Sequence, residues 1–306
     1  MEKIGVIGCG LMGSGIAANL LKNDFTVYVF DINKEAVEKL AKEGAIAVEQ
    51  PKYMAGEVDA VILSLPTPEL VKKTVADDDA GIIHFMRQGT TILDMSTNDV
   101  EVTRNLYQLG EEKEIEFFDC PLSGGPTGAA NGTLTVMIGG KEEAFPAILP
   151  ILQAIGEHIE YVGESGAGQT AKLCHNMVVG GVITLLSEAF VTGEKAGVSK
   201  ETLASILQKG SAQTRAMDIF GVNILKENFS ELKFSLANMT KDILLYRNLS
   251  ETSKVPALAS QSAIQLFQMA NYQGKGNHDA AAVYELFAGT EGQTPCPSKG
   301  VKNSTK

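Results

Sequence analysis

A glycine-rich turn eight residues into the chain constrains the fold more than any other feature. Gly8-Cys-Gly10-Leu-Met-Gly13 fits G-x-G-x-x-G, directly after the apolar run Lys3–Gly8 and at the head of an amphipathic stretch, Leu11–Lys22. A chain that passes from strand to helix there needs Gly8 for the tight turn. Gly10 lets backbone N–H groups approach a pyrophosphate, and Gly13 allows close helix–strand packing. Leu11 and Met12, between the glycines, complete the cofactor-binding loop. Alone the motif is weak, and a glycine turn without a ligand is its plain alternative. Here a second apolar run, Thr26–Asp31, ends on an acid eighteen positions after Gly13. Asp31 can accept from adenosine ribose hydroxyls and repels a 2′-phosphate. Ile32 and Asn33 follow where an NADP-binding chain often carries arginine, with Lys34 a possible phosphate partner. The sequence therefore predicts NAD in preference to NADP.

The βα alternation continues. Ala60–Leu65, Thr90–Met95, Glu116–Asp119, Leu134–Gly139 and Ile159–Val162 read as further strands, several of them unbroken apolar runs suited to parallel strands covered on both faces. Lys34–Glu43 reads as a helix between two of them. The last two strands follow a Gly/Pro-rich loop and are free to run in another direction. After Val162 only helical patterns remain. Gln169 to about Lys195 forms one long helix, followed by Lys200–Lys209, Leu232–Leu249, Pro256–Ala270 and Asp279–Phe287, with Pro256 suited to a first helical turn. This predicts a doubly wound α/β sheet over residues 1–163 and an interdomain helix over 164–195. An all-helical domain over 196–290 and a flexible tail over 291–306 complete the chain.

At 306 residues the chain is about twice a typical domain length. A formal net charge of −11, with no cluster of basic residues, argues against a duplex-binding surface. No apolar run approaches the ~18 residues of a membrane span; Val178 to Val191 is broken by Ser187 and Glu188. The amino terminus enters a strand pattern directly, without a signal segment. Cys9, Cys120, Cys174 and Cys296 are scattered, as are the four histidines, so neither a disulfide scaffold nor a metal site is expected. The expectation is a cytoplasmic protein with no nucleic-acid or membrane partner. A serine hydrolase is disfavoured because Gly163-Glu-Ser165-Gly-Ala167 fails G-x-S-x-G at its last glycine, and the G-x-x-x-x-G-K-[ST] phosphate loop is absent.

Other segments carry chemistry. Leu65-Pro66 and Ser96-Thr97 fall at carboxyl ends of strands, where open α/β sheets place ligands. In Ser123-Gly124-Gly125 a hydroxyl and bare backbone amides can cradle a small carboxylate, although a turn using Ser and Gly for conformation alone has the same composition. Lys172 and Asn176, four apart on a helix, project from one face; Lys172 lies in a small, apolar stretch, yet by itself it reads equally as a snorkelling surface lysine. His175 lies about 100° around the helix from Asn176 and reads as packing or a minor supporting group. Phe234, Asn238 and Lys241 share a helix face at i, i+4, i+7, and Asp242 pairs with a helix neighbour. Asp99 is suited to capping the next helix.

Taken together, these residues resemble the β-hydroxyacid dehydrogenase family, which includes 3-hydroxyisobutyrate dehydrogenase and tartronate semialdehyde reductase. The likeness runs to about Gly289. It rests on the dinucleotide loop, on Asp119 to Thr135 with Ser123-Gly124-Gly125 at its centre, on Gly168-Gln-Thr-Ala-Lys172-Leu-Cys-His-Asn176, and on Phe234 to Asp242. The family often has a proline soon after Thr97, where this chain has Asn98-Asp99-Val100.

The resemblance implies an NAD(P)-dependent enzyme with an N-terminal Rossmann-type sheet and an all-α C-terminal domain. It would transfer hydride reversibly to and from a small 3-hydroxy acid of the 3-hydroxyisobutyrate type. The resemblance makes Lys172 the acid/base, its pKa lowered from ~10.4 toward ~7–8, with Asn176 holding the substrate hydroxyl or the lysine. It makes Ser123, Gly124 and Gly125 the grip on the substrate carboxylate, sets Thr97, Phe234 and Lys241 near the nicotinamide, and implies a homo-oligomer, dimer or tetramer. A tartronate or succinate semialdehyde reductase is the alternative within the family. A non-catalytic NAD(P)-binding protein would be expected to have lost the lysine.

Overall fold

The computed structural model describes residues 1–289; Thr290, Cys296 and the expected tail at 291–306 lie outside the described residues. Nine strands form one sheet: β1 (Lys3–Ile7), β2 (Thr26–Phe30), β3 (Ile46–Ala47), β4 (Ala60–Leu63), β5 (Thr91–Asp94), β6 (Glu116–Asp119), β7 (Leu122–Ser123), β8 (Leu134–Gly139) and β9 (Gly156–Gly163). Their order is β3-β2-β1-β4-β5-β6-β8-β7, with β9 also beside β8. The first six run parallel. β8 runs antiparallel to β6 and β7, and β9 follows β8 in parallel, so the last strands reverse direction.

The helices are α1 (Leu11–Lys22), α2 (Lys34–Lys42), α3 (Pro51–Ala55), α4 (Pro68–Ala76), α5 (Val100–Glu112), α6 (Gly125–Asn131), α7 (Phe145–Gln153), α8 (Ala167–Lys195), α9 (Lys200–Lys209), α10 (Arg215–Lys226), α11 (Leu236–Thr252), α12 (Leu258–Ala270) and α13 (Glu285–Ala288). Every residue of β4 and β5 is buried, because alternate side chains serve two different cores. Ala60, Ile62 and Leu93 join Ile4 and Val6 on one face; Val61, Leu63 and Ile92 join Ile7 and Val71 on the other. This two-sided burial explains why those strands read as unbroken apolar runs. Beyond β9 the described chain is helical, giving the doubly wound sheet followed by helices.

The chain divides into two compact units. One comprises Met1–Val179 with Asn238–Gln261; the other comprises Gly180–Ala237 and the chain from Ser262 onward. The boundary falls inside α8, whose first half carries hydrogen bonds to β6 and to the turn after β5. In the second unit, Lys200 at the head of α9 bonds to Glu227 after α10 and lies 3.4 Å from the Tyr284 hydroxyl. Asp279 caps the 3-10 turn Ala280–Tyr284 through Ala281 N–H and accepts from Lys233 N–H (2.8 Å).

Two expectations change. α8 is long and apolar enough to cross a membrane by length and composition, although no uninterrupted apolar run suggested it. Its few polar residues are spaced widely enough to leave the 18-residue average high, and 44% of that stretch is buried within the protein. Pro256 precedes its helix rather than opening it, since α12 begins at Leu258.

Candidate active site

The glycine loop turns at Gly8, whose φ of +95° an L side chain rarely adopts and whose added Cβ would meet Ser64 O at 2.2 Å. A Cβ on Gly13 would strike Gly8 O, so that glycine sets the helix against the strand. At Gly10 the reverse holds: nothing lies within 4 Å of where a Cβ would stand. Gly10 caps α1 with no side-chain hydrogen bond and the first turn has no acid, leaving N–H groups beside open space. A diphosphate fits that cradle on charge and shape. Leu11 is exposed beside it and Met12 half-buried. Asp31 is tied to the same loop: Cys9 N–H donates to its Oδ2 (2.6 Å) and Asn33 N–H to its Oδ1 (2.7 Å). Each oxygen keeps a lone pair for a ribose hydroxyl.

α1 carries this loop against α6. A Cβ on Gly15 would stand 2.7 Å from Ala129 C, and Asn19 Nδ2 donates to Ala129 O (2.6 Å) and Gly15 O (3.0 Å). The Ser123-Gly124-Gly125 turn is thereby held relative to the glycine loop. Gly124 has φ +128°, so its peptide adopts an orientation that other residues rarely adopt. Ser123 is half-buried and Gly124 exposed.

The ends of β5 and β6 carry two buried carboxylates paired in register, Asp94 and Asp119. Burial pushes Asp94 up to about 6, against the lowering effect of Asn98 Nδ2 (2.9 Å) and Ser96 N–H (3.0 Å). Asp119 is also raised by burial; it accepts N–H from Gly166 and Gln169, both at 2.8 Å, and so pins the start of α8. Gln169 then reaches the turn after β5, accepting from Asn98 N–H (2.9 Å) and donating to Ser96 O (2.8 Å). Ser96 Oγ accepts from Leu65 N–H (2.9 Å), joining the Leu65-Pro66 and Ser96-Thr97 strand ends. Asp99 caps α5 as expected, through Glu101 and Val102 N–H.

One turn into α8, Lys172 is 7% exposed and Asn176 4%. Burial lowers the Lys172 pKa to about 8; Asp242 works against that shift and Lys241 adds to it. Asn176 Nδ2 donates to Asp242 Oδ2 (2.5 Å). Asp242 Oδ1, buried without a hydrogen bond, lies 3.0 Å from Lys241 Nζ. Lys241 Nζ also donates to Thr97 O (2.8 Å), which ties α11 to the turn after β5. The structure thus joins Asn176, Lys241 and Thr97 through Asp242 into one network, to which the buried Lys172 is coupled by charge. Asp242, Gln169, Asp94 and Asp119, which the sequence left aside or gave only a minor part, support it.

One reading is narrowed and one corrected. Of the two readings of His175, packing or a minor supporting group, the structure favours the second: its Nδ1 lies 2.9 Å from Asn176 Oδ1 and its Nε2 3.5 Å from Ser123 Oγ. The 100° offset holds for Cα directions, but a long side chain spans it. Phe234 is not on the face of α11, which starts two residues later at Leu236. It lies in the second unit, in a bend where its N–H and that of Lys233 go to Asp279 Oδ2 (3.1 and 2.8 Å), pairing that replaces a first helical turn. A separate surface depression, lined by Met1, Glu2, Asp59 and Arg87, sits at the amino-terminal ends of the strands, away from all these groups.

Residues 3–163 match the family described as the NAD binding domain of 6-phosphogluconate dehydrogenase. Residues 166–287 match that described as the NAD-binding of NADP-dependent 3-hydroxyisobutyrate dehydrogenase. The chain is 35% identical to the 2-(hydroxymethyl)glutarate dehydrogenase of Eubacterium barkeri, over 93% of this chain and 94% of that one. It is 32% identical to the NAD-dependent L-serine dehydrogenase of Pseudomonas aeruginosa, over 96% of this chain and all of the other. The solved structure of Mycobacterium tuberculosis 3-hydroxyisobutyrate dehydrogenase with L-serine superposes with a TM-score of 0.85 at 29% identity, covering 94% and 99%. The glycine loop, the doubly wound sheet and relatives matched nearly end to end lead to one assignment: the chain belongs to the β-hydroxyacid dehydrogenase family, and is a nicotinamide-dependent oxidoreductase acting on a CH–OH group.

Proposed function

We propose that the protein reversibly oxidises a small 3-hydroxy acid with NAD, using Lys172 as acid and base. The observation that carries this reading is the buried Lys172 at about 8, packed beside Asn176 and flanked by opposing charges from α11. A lysine at its ordinary value near ~10.4 is a poor base at neutral pH; one near 8 exchanges a proton readily in either direction.

A bound nicotinamide would supply the acceptor and donor for hydride at the carbinol carbon. The remaining work falls to the chain. The amides at the head of α1 hold the diphosphate, and Asp31 accepts from the ribose, which favours NAD because a 2′-phosphate would face its charge. Thr97 and Lys241 border the nicotinamide side. Ser123 and the peptides of Gly124 and Gly125 grip the carboxylate. Asn176, held by Asp242, orients the hydroxyl. Neutral Lys172 takes the hydroxyl proton during oxidation; its ammonium returns one during reduction and steadies the oxygen's developing charge.

The compounds named for the relatives, 2-(hydroxymethyl)glutarate, L-serine and 3-hydroxyisobutyrate, share a hydroxymethyl group on the carbon beside a carboxylate. That shared unit is the substrate class proposed for this chain. Initial rates with NAD and NADP across these three acids, and across tartronate and succinate semialdehydes in reverse, test it. Turnover of at least one hydroxymethyl acid with NAD, collapsing in Lys172→Ala while NAD still binds, is the expected result. Turnover surviving Lys172→Ala would remove the lysine from the chemistry. Asp31→Ala should weaken NAD about tenfold, near 1.4 kcal/mol, and NADP less; a parent enzyme that prefers NADP overturns the cofactor choice.

A further inference from the structure

His175 has no part in the proposed mechanism, yet it stands between two groups that do. Its surroundings decide which ring nitrogen carries hydrogen. Asp242, a carboxylate, can only accept, so the Asn176 amide turns its NH₂ toward Asp242 and its oxygen toward His175. Asn176 Oδ1 faces His175 Nδ1 at 2.9 Å, and Nδ1 must therefore donate. In the neutral ring this leaves Nε2 as a bare lone pair, 3.5 Å from Ser123 Oγ. That separation is long for a formed hydrogen bond, but it lets both atoms reach one oxygen of a ligand placed at Ser123.

A carboxylate there could not tolerate the bare lone pair. Moving the hydrogen from Nδ1 to Nε2 would instead set Nδ1 against Asn176 Oδ1, two acceptors face to face. Only the imidazolium satisfies both sides. We propose that His175 completes the carboxylate grip: as an imidazolium it donates Nε2–H to the acid beside Ser123, and it takes up that proton as the acid binds. This rests on the carboxylate site proposed at Ser123 and adds a residue and a proton to it.

The charged and titratable groups around the ring set the direction. On α8 these are Lys172 and the neighbouring Cys174. From α11, Asp242 acts through Asn176 with Lys241 beside it, while β7 contributes only the Ser123 hydroxyl. His175 is exposed as a residue, yet partial desolvation of its ring, with Lys172 adding to it, holds it below the ordinary histidine value, against the hydrogen bond to Asn176. The free site is accordingly neutral at pH 7, and an incoming anion reverses that balance. Because the complex holds the extra proton, affinity for the acid falls as pH rises, by up to tenfold per unit.

The test uses isobutyrate, which has the carboxylate but no reacting hydroxyl, titrated calorimetrically into the NAD-saturated protein at pH 7 in buffers of different ionisation enthalpy. The expected result is uptake approaching one proton per isobutyrate. Lys172, at about 8, is already about nine-tenths protonated at pH 7 and adds little. In His175→Gln, which keeps a hydrogen-bonding side chain but cannot titrate, the uptake should fall to the small Lys172 share and the affinity become flat with pH below about 7. Binding without proton uptake, or equal uptake in parent and variant, overturns the inference and leaves the carboxylate site standing. Failure of isobutyrate to bind the parent sinks both. Should the variant not fold, NMR titration of the four histidines in the parent decides: one must rise in pKa by more than a unit when isobutyrate is added, and none rising overturns it.

Discussion

Lys172 and Lys200 are two buried lysines in different units, 7% and 8% exposed, and they titrate in opposite directions. Desolvation pulls on both. At Lys200 it is outweighed by hydrogen bonds from Nζ to Glu227 and to the Tyr284 hydroxyl, with Glu227's charge, and the pKa ends raised. Glu194 stands 3.8 Å away and the Tyr284 ring 5.4 Å from the ammonium. Lys172 has one opposing carboxylate, Asp242, and that carboxylate is shared with Asn176 and Lys241. The difference lies first in depth, since Lys172 is the more completely desolvated, and then in ownership of the counter-charge. A lysine with its own acid is locked as an ammonium and serves the fold, whereas one that competes for a shared acid is left able to lose its proton.

The largest effect expected from this contrast is in turnover. Lys172→Met should cut kcat by about 10²–10⁴-fold, the usual span for a lost acid/base, while Lys200→Met should stay within a few-fold of the parent. A comparable loss in both would erase the distinction. Next comes the pH profile. Since Lys172 must be neutral to act as a base, the oxidation rate should climb with pH and level off above about 8; the reduction rate should fall across the same interval. Asp242 raises the Lys172 pKa and Lys241 lowers it, so Asp242→Asn should move that midpoint to lower pH and Lys241→Met to higher pH. Shifts in the same direction would mean the profile belongs to another group. The smallest effect is in stability. Lys200→Met should lower stability by about 1 kcal/mol or less, because Glu227 is largely in water. Lys172→Met, which removes a desolvated ammonium without a dedicated partner, should keep or raise Tm. Thermal melts of the two variants side by side measure it, and a Lys172→Met that melts well below Lys200→Met contradicts the comparison.

Legibility in the sequence followed the range of the interactions. β6 and β8, and the helices α1 and α9, carry the boundaries their residues suggested, because apolar runs and local caps act within a few positions. α4 and α10 escaped notice although each had a start signal: Thr67 before Pro68 accepts from Leu70 N–H, and Thr214 accepts from Met217 N–H. α11 was extended too far toward its amino end for the opposite reason. The pattern from Leu232 suits a helix, but Asp279, more than forty positions later in the chain, claims the Lys233 and Phe234 N–H groups.

At the site the same division holds. The glycine loop and Asp31 were readable because strand, turn, helix and acid are consecutive, and their chemistry lies in the backbone. Lys172 and Asn176 were readable as a pair from helical spacing alone. Their burial was not, nor the choice between surface lysine and proton carrier, since desolvation depends on what packs over α8 from β6, β7 and α11. Asp119, Gln169 and Asp242 looked ordinary in sequence and became supports only when the fold brought partners 50 to 73 positions away within 3 Å. His175 shows the limit most clearly. Its position on the helix was fixed by sequence, but its hydrogen-bonding state depends on Asn176 facing Asp242 and on Ser123 arriving from β7. Strand and helix periodicity is a property of neighbouring residues, while a proton's position depends on every charge and dipole that the fold gathers around it.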